Sequence, residues 1–291
     1  MLISFVKGGL GNQLFIYYFT QNVISVSKHK RAYFDLNFYF PKMFGSYSTI
    51  CIDYNIRFIL TRFFQIKKVK PVISKVLIKL GKLNRKLNLF FLPTLIDEEN
   101  FSYELINKRL IVLLVGHWIN RDYYKTNITL PKLIKTNKKF NEILEMIETT
   151  NSVSIHIRGG QYVNDKGISK TYAVITENYY KNALNDLESK INKPTYFIFT
   201  NDLPYAKKII EELHLKNINI VTGLEDYEDF YLMTKCKHNI IINSTFSWWA
   251  GFLNENSTKI VIAPEHWSGE KEKNRYYNSL PFNNWIKQKN S

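Results

Sequence analysis

The second half of the chain is punctuated by short apolar runs rich in β-branched and aromatic residues, at 153–157 (VSIHI), 196–200 (YFIFT), 218–222 (INIVT), 239–243 (NIIIN) and 260–263 (IVIA). Runs this short and this apolar read as strands buried on both faces. Helical spacing of apolar positions fills the gaps at 177–190, 204–214, 229–236 and 247–253. Strands alternating with helices specify a parallel, doubly wound sheet. The first half repeats the theme less regularly. A strand at 2–6 turns through Lys7-Gly8-Gly9-Leu10-Gly11-Asn12-Gln13 into a helix at about 14–27, a second strand ends at Asp35, and a third apolar run covers 110–116. A polar, helix-prone stretch at 131–149 leads into the regular half. The domain boundary is therefore expected near 149–152, giving domains of residues 1–150 and 151–291.

Charge changes the picture in one place. The formal net charge is +15, and residues 54–96 hold ten Lys or Arg with no Asp or Glu. Within this insert Val69, Val72, Ile73, Val76, Leu77, Leu80, Leu83 and Leu87 recur at three- and four-residue steps, with lysines between them. That spacing predicts a basic amphipathic helix, broken near Pro71 and Gly81. Three readings stay open: contact with an anionic membrane, a packed helix with a solvated lysine face, and a nucleic-acid patch. No nucleic-acid-binding module accompanies the charge, so nucleic acid is not an expected partner.

Length and composition narrow the class. A chain of 291 residues with 45% hydrophobic and 15% aromatic residues is long and apolar enough for two cored domains. No signal-peptide pattern opens the chain and no apolar run approaches the ~20 residues of a membrane span. Cys51 and Cys236 are the two cysteines, without a CxxC, which argues against a disulfide framework or a cysteine zinc site. A cytoplasmic location is the expectation, with peripheral contact to the inner membrane if the basic helix docks there.

Ligands of open parallel sheets bind outside the carboxyl ends of the strands. The residues there are His156-Ile157-Arg158-Gly159-Gly160, Asn201-Asp202, Gly223, Ser244-Thr245 and Pro264-Glu265. Arg158 supplies a permanent cation and a planar fork for phosphate, and Asp202 can accept from a ribose or base. The stretch 239–253, NIIINSTFSWWAGFL, reads as strand, turn and helix start, where unpaired N–H groups and the helix dipole favour an anion. Ser244, Thr245 and Ser247 can add hydroxyls to it. Taken alone this stretch is also a capped helix with two core tryptophans. Gly9 and Gly11 with Asp35 resemble part of a dinucleotide fingerprint, but Leu14 stands where its third glycine belongs. Asp-x-Asp, His-Glu-x-x-His, P-loop and Gly-x-Ser-x-Gly signatures are absent. A bound diphosphate is thus expected to be neutralised by Arg158, backbone dipoles and hydroxyls, without a metal.

Several of these segments together resemble a known family. The turn Gly8-Gly9-Leu10-Gly11-Asn12-Gln13-Leu14-Phe15, the His156-Ile157-Arg158 strand end with Tyr162 after it, Tyr179-Tyr180-Lys181-Asn182-Ala183, residues 197–202, the run 229–253, and Lys259 to Pro264 with Trp267 look like the bacterial α-1,2-fucosyltransferases of glycosyltransferase family 11. The resemblance is weakest at about 38–100. It implies a GT-B arrangement of two Rossmann-like domains, an acceptor-side domain followed by a donor domain. It further implies GDP-fucose as donor, no metal or other cofactor, and inversion to an α-linked fucose on the 2-hydroxyl of a galactoside. A lipid-linked oligosaccharide in O-antigen synthesis is a natural acceptor. Arg158 and His156 would be catalytic, with Arg158 binding the pyrophosphate. Gly11, Asn12, Asp202, Ser244, Thr245, Phe246 and Ser247 would bind the donor. The family's x-Arg-Arg-Gly-Asp-Tyr pattern appears here as Ile157-Arg158-Gly159-Gly160-Gln161-Tyr162, without the second arginine and the aspartate. A transferase using another GDP-6-deoxyhexose, such as GDP-colitose, and a non-catalytic nucleotide-sugar-binding homologue are the alternatives.

Overall fold

The computed structural model describes residues 1–36, 65, 67–124, 128–129, 133, 136–159, 173–269, 277 and 280–291. Gly160, Gln161 and Tyr162, and the insert at 54–64 and 66, lie outside the described residues. The chain divides into two compact units, Met1–Asn127 and Ile128–Ser291.

The first unit is built on a parallel sheet of β1 (Leu2–Phe5), β2 (Ala32–Asp35), β3 (Thr94–Ile96) and β4 (Val112–Leu114), in the order β2-β1-β4-β3. Helix α1 (Leu10–Val26) connects β1 to β2. Helix α2 (Pro71–Leu87) packs on β3, and the short α3 (Tyr103–Lys108) precedes β4. The basic helix forms and is bounded at Pro71, as expected, but it is not broken at Gly81. Pro71 sits at the helix start, where a missing N–H costs nothing. Gly81 lies inside the helix, where an added Cβ would come 3.0 Å from Leu95 Cγ and 3.4 Å from Leu113 Cδ1. It is a close-approach glycine that seats α2 on the sheet. The same insert contains β3, a strand that the charge pattern conceals.

The second unit holds β5 (Ser152–Ile157), β6 (Thr195–Thr200), β7 (Ile218–Ile220), β8 (His238–Ile240), β9 (Val261–Pro264) and β10 (Ile286–Gln288), ordered β10-β9-β8-β5-β6-β7, all pairs parallel. The five expected strands form, and β10 adds a sixth. The helices are α4 (Lys138–Thr149) before the sheet, then α5 (Glu177–Glu188), α6 (Leu203–Glu212), α7 (Asp226–Lys235) and α8 (Thr245–Leu253). Every residue of β5 is buried, as a central strand covered on both faces requires. Its two buried serines are satisfied rather than stranded. Asn239 Nδ2 donates to Ser154 Oγ at 2.7 Å and to the Met233 carbonyl at 2.9 Å, and Asn254 Nδ2 donates to Asn239 Oδ1 at 2.7 Å. This network locks β5, β8 and the end of α8 together.

The boundary differs from the expected 149–152. Helix α4 belongs to the second unit because its contacts are there. The Phe140 ring lies 5.9 Å from that of Tyr231 on α7. Asn137, which caps α4 by accepting from Phe140 N–H, donates to Glu228 Oε1 at 3.1 Å.

Candidate functional site

From β5 the chain builds outward through β6 and β7, then crosses back to place β8 on the other side of β5. The crevice at such a reversal, outside the carboxyl ends of the two flanking strands, is where open α/β sheets take ligands. Arg158 follows β5 directly, Ser244 follows β8, and Asp202 follows β6. Three of the expected site residues therefore stand on three adjacent strand ends. Two tyrosines of α5 fix those ends from below: Tyr180 donates its hydroxyl to the His156 carbonyl at 3.2 Å, and Tyr179 donates to the Ile241 carbonyl and, at 3.3 Å, to that of Ile262. Asn243 ties the turn sideways, donating to the carbonyls of Ala173 at 2.7 Å and Trp267 at 3.1 Å.

The hydroxyls of the turn divide their roles. Ser244 occupies the N-cap position of α8 with an extended backbone, yet its side chain makes no capping hydrogen bond. The expectation of a simple serine cap is corrected here. Thr245 and Phe246 are half-buried on the first turn. Ser247 is fully buried, and its Oγ donates to the carbonyls of Ile242 and Ser244 at 3.3 Å each. Its hydroxyl therefore holds the turn itself, a structural role in place of the expected donor contact. Trp248 and Trp249 are buried, with Trp248 Nε1 donating to the Leu280 carbonyl at 2.8 Å. They pack, as expected.

His156 is buried at the end of β5, and its Nδ1 has no hydrogen-bond partner among the described residues. Burial first, and then the charge of Arg158, push its pKa down to about 3. The imidazole is neutral near pH 7, so it can offer one donor and one acceptor but not a positive charge. Its ring lies 5.7 Å from Phe246, whose ring in turn lies 5.3 Å from Phe230 on α7. The residue before Phe230, Asp229, carries the second unmet demand: Oδ1 is buried without a partner among the described residues. Burial, and then Asp226 and Glu228, raise the Asp229 pKa to about 7. Glu228 differs in being satisfied, accepting from Glu225 N–H at 2.9 Å as well as from Asn137. His156 thus adjoins an aromatic pair, Phe246 and Phe230, and the residue before Phe230 carries the second orphaned polar atom. Asp229 was not among the site residues expected from the sequence, where it opens the helical pattern at 229–236.

Asp202 caps α6, Oδ1 accepting from Tyr205 N–H at 3.1 Å. That is its observed role. The same helix explains the missing second arginine. Gly159 is buried, and a Cβ there would meet the Tyr205 ring at 2.4 Å. Tyr205 fills the space that a side chain at position 159 would need.

Gly11 and Asn12 lie in the first unit, in the opening turn of α1. Gly8 takes a left-handed backbone (φ +77°) and an added Cβ would fall 2.5 Å from Asn12 Nδ2. Asn12 folds over Gly8, and Gln13 Nε2 donates to the Gly8 carbonyl at 3.0 Å. Gly11 is buried in the opening turn of the helix. The N-cap, Gly9, brings no side chain to the helix start.

Known proteins resemble the chain at two levels. The family model described as glycosyl transferase family 11 matches residues 1–289. An α-1,2-colitosyltransferase of Escherichia coli is 27% identical over 284 residues, 95% of each chain. The O-antigen biosynthesis glycosyltransferase WbnK of Escherichia coli is 34% identical over 142 residues, 48% of this chain and 45% of the other. Among solved structures, a point mutant of Arabidopsis thaliana FUT1 in complex with GDP matches with a TM-score of 0.54 at 8% identity, covering 89% of this chain and 69% of that one. The α/β fold with two parallel sheets is of the GT-B class.

Proposed function

The chain belongs to glycosyl transferase family 11, and from that premise we propose that it moves L-fucose from GDP-fucose to the 2-hydroxyl of a galactoside acceptor in O-antigen synthesis. The observation that carries this reading is the pairing, across the sheet reversal, of Arg158 with an α8 N-terminus that the Ser244 side chain does not cap. A guanidinium after one strand and a helix N-terminus after the neighbouring strand suit a diphosphate.

In this reading Arg158 binds the pyrophosphate. The acceptor oxygen attacks the anomeric carbon as the bond to the β-phosphate oxygen breaks, and that oxygen leaves with the electron pair. Arg158 and the α8 dipole stabilise the growing negative charge, the kind of preorganised electrostatics that dominates such steps. Neutral His156, beside Phe246, and the carboxylate of Asp229 meet the polar edge of the purine base in this reading. A guanine edge offers adjacent N–H donors to a carboxylate, which a uracil or adenine edge does not. Asp202, Ser244 and Thr245 line the donor. No metal takes part.

Release of GDP from GDP-fucose with galactoside acceptors, in the presence of EDTA, tests the reading. Turnover is expected to persist under EDTA, and Arg158→Ala to lower kcat by about 10²–10³-fold, as loss of a donor to a developing anion does elsewhere. An Arg158→Ala protein with full activity contradicts the role. The 27% identity to an α-1,2-colitosyltransferase over nearly the whole chain favours a second donor, GDP-colitose. Comparing turnover of the two GDP-sugars decides between them.

A further inference from the structure

Helix α2 carries three distinct faces. At 100° per residue, Ser74, Ile78, Gly81 and Asn84 share the face that is buried on the first unit. Val72, Val76, Leu83 and Leu87 share a second, within about 60° of one another, and that face is open: they are 72%, 51%, 50% and 49% exposed. Lys75, Lys79, Lys82 and Lys86 form the third, running along one flank of the open apolar stripe. No acidic residue occurs anywhere in the helix. The apolar exposure continues past the helix end through Leu89, Phe90 and Phe91, at 39%, 59% and 50%.

A helix that only packs on its domain needs one apolar face, and α2 already has it. A second, solvent-facing apolar stripe alongside a lysine row is the pattern of a helix lying in a lipid headgroup region. We propose that α2 and the adjoining 89–91 segment dock the protein on an anionic bilayer surface, the stripe entering the acyl boundary and the lysines meeting lipid phosphates. Among the described residues no helix is long and apolar enough to cross a membrane, so this contact lies on the surface. Charge argues against a second copy as occupant. An antiparallel two-fold pairing of the stripe would set one lysine row beside its twin, and like charges across an interface are disfavoured.

The test is co-sedimentation of the full-length protein with phosphatidylcholine vesicles, with and without phosphatidylglycerol. The wild type is expected to bind the anionic vesicles only, and less so in high salt. Lys79→Gln and Lys86→Gln should each weaken partitioning about fivefold. The double variant Val76→Asp, Leu83→Asp keeps every lysine and should still lose binding. Both of its positions are exposed, so an unchanged thermal unfolding curve and unchanged GDP binding confirm an intact fold. Three results overturn the proposal: no binding to anionic vesicles, full binding by the aspartate double variant, or a wild-type dimer in sedimentation that this variant converts to monomer. The last outcome would assign the stripe to a second copy, and binding to an acidic protein in place of vesicles would assign it to that class of partner. None of these results bears on sugar transfer.

Discussion

A carboxylate oxygen buried without a partner costs stability, and Oδ1 of the half-buried Asp229 is such an atom among the described residues. Its unfolded carboxyl titrates near the ordinary 3.8 and the folded one near 7. Between these values the folded state holds the proton longer, so stability falls as pH rises, and above pH 7 the whole cost of the buried charge is present. Asp229→Asn should therefore stabilise the ligand-free protein at pH 8 by roughly 2–4 kcal/mol, with the gain vanishing below about pH 4. Urea unfolding at several pH values reads this directly. The same variant should bind GDP more weakly, and wild-type GDP affinity should rise from pH 6 to 8 as the carboxylate ionises. A variant that is destabilised at pH 8 and binds GDP normally would make Asp229 a structural residue. The role was not legible in the sequence because it rests on burial. Phe230 and Phe246 enclose a surface that exists only when α7 and α8 pack. Arg158 was legible, since a guanidinium directly after a buried strand needs no packing detail to stand at the sheet's edge.

At the scale of elements, strand and helix alternation was plain in the second half and misleading in the first. The runs at 153–157 and 196–200 lie on β5 and β6, because uninterrupted apolar runs between helices have one economical arrangement. β10 went unseen because Ile286-Lys287-Gln288 is a short edge strand with little apolar signature. Gly81 was read as a break because glycine lowers helix propensity. Tertiary contact overrides that preference: the missing side chain lets α2 approach Leu95 and Leu113. Gly81→Val should overpack this seam and cost about 1–3 kcal/mol, seen as earlier urea unfolding of the first unit. Unfolding at the wild-type midpoint would mean that α2 tolerates a wider spacing.

For the whole molecule, the order β10-β9-β8-β5-β6-β7 decides where a donor can sit, since a sheet that reverses between β5 and β8 opens its crevice beside Arg158 and Ser244. The hydroxyl cluster at 244–247, which alone reads as a cap, gains meaning from that position. The structure then separates Ser247, which braces the turn, from Ser244, whose side chain leaves the helix start uncapped. The first unit brings a basic, apolar surface on α2 that the donor chemistry does not use. The central claim, a GDP-sugar site at the edge of the second sheet, is tested most directly by calorimetric titration of the wild type and Arg158→Ala with GDP-fucose, GDP, ADP and UDP. The predicted result is binding of the two guanosine compounds by the wild type, at least tenfold tighter than of ADP or UDP, and its loss in Arg158→Ala. Equal binding of all three nucleoside diphosphates, or binding of GDP undiminished by Arg158→Ala, would contradict it.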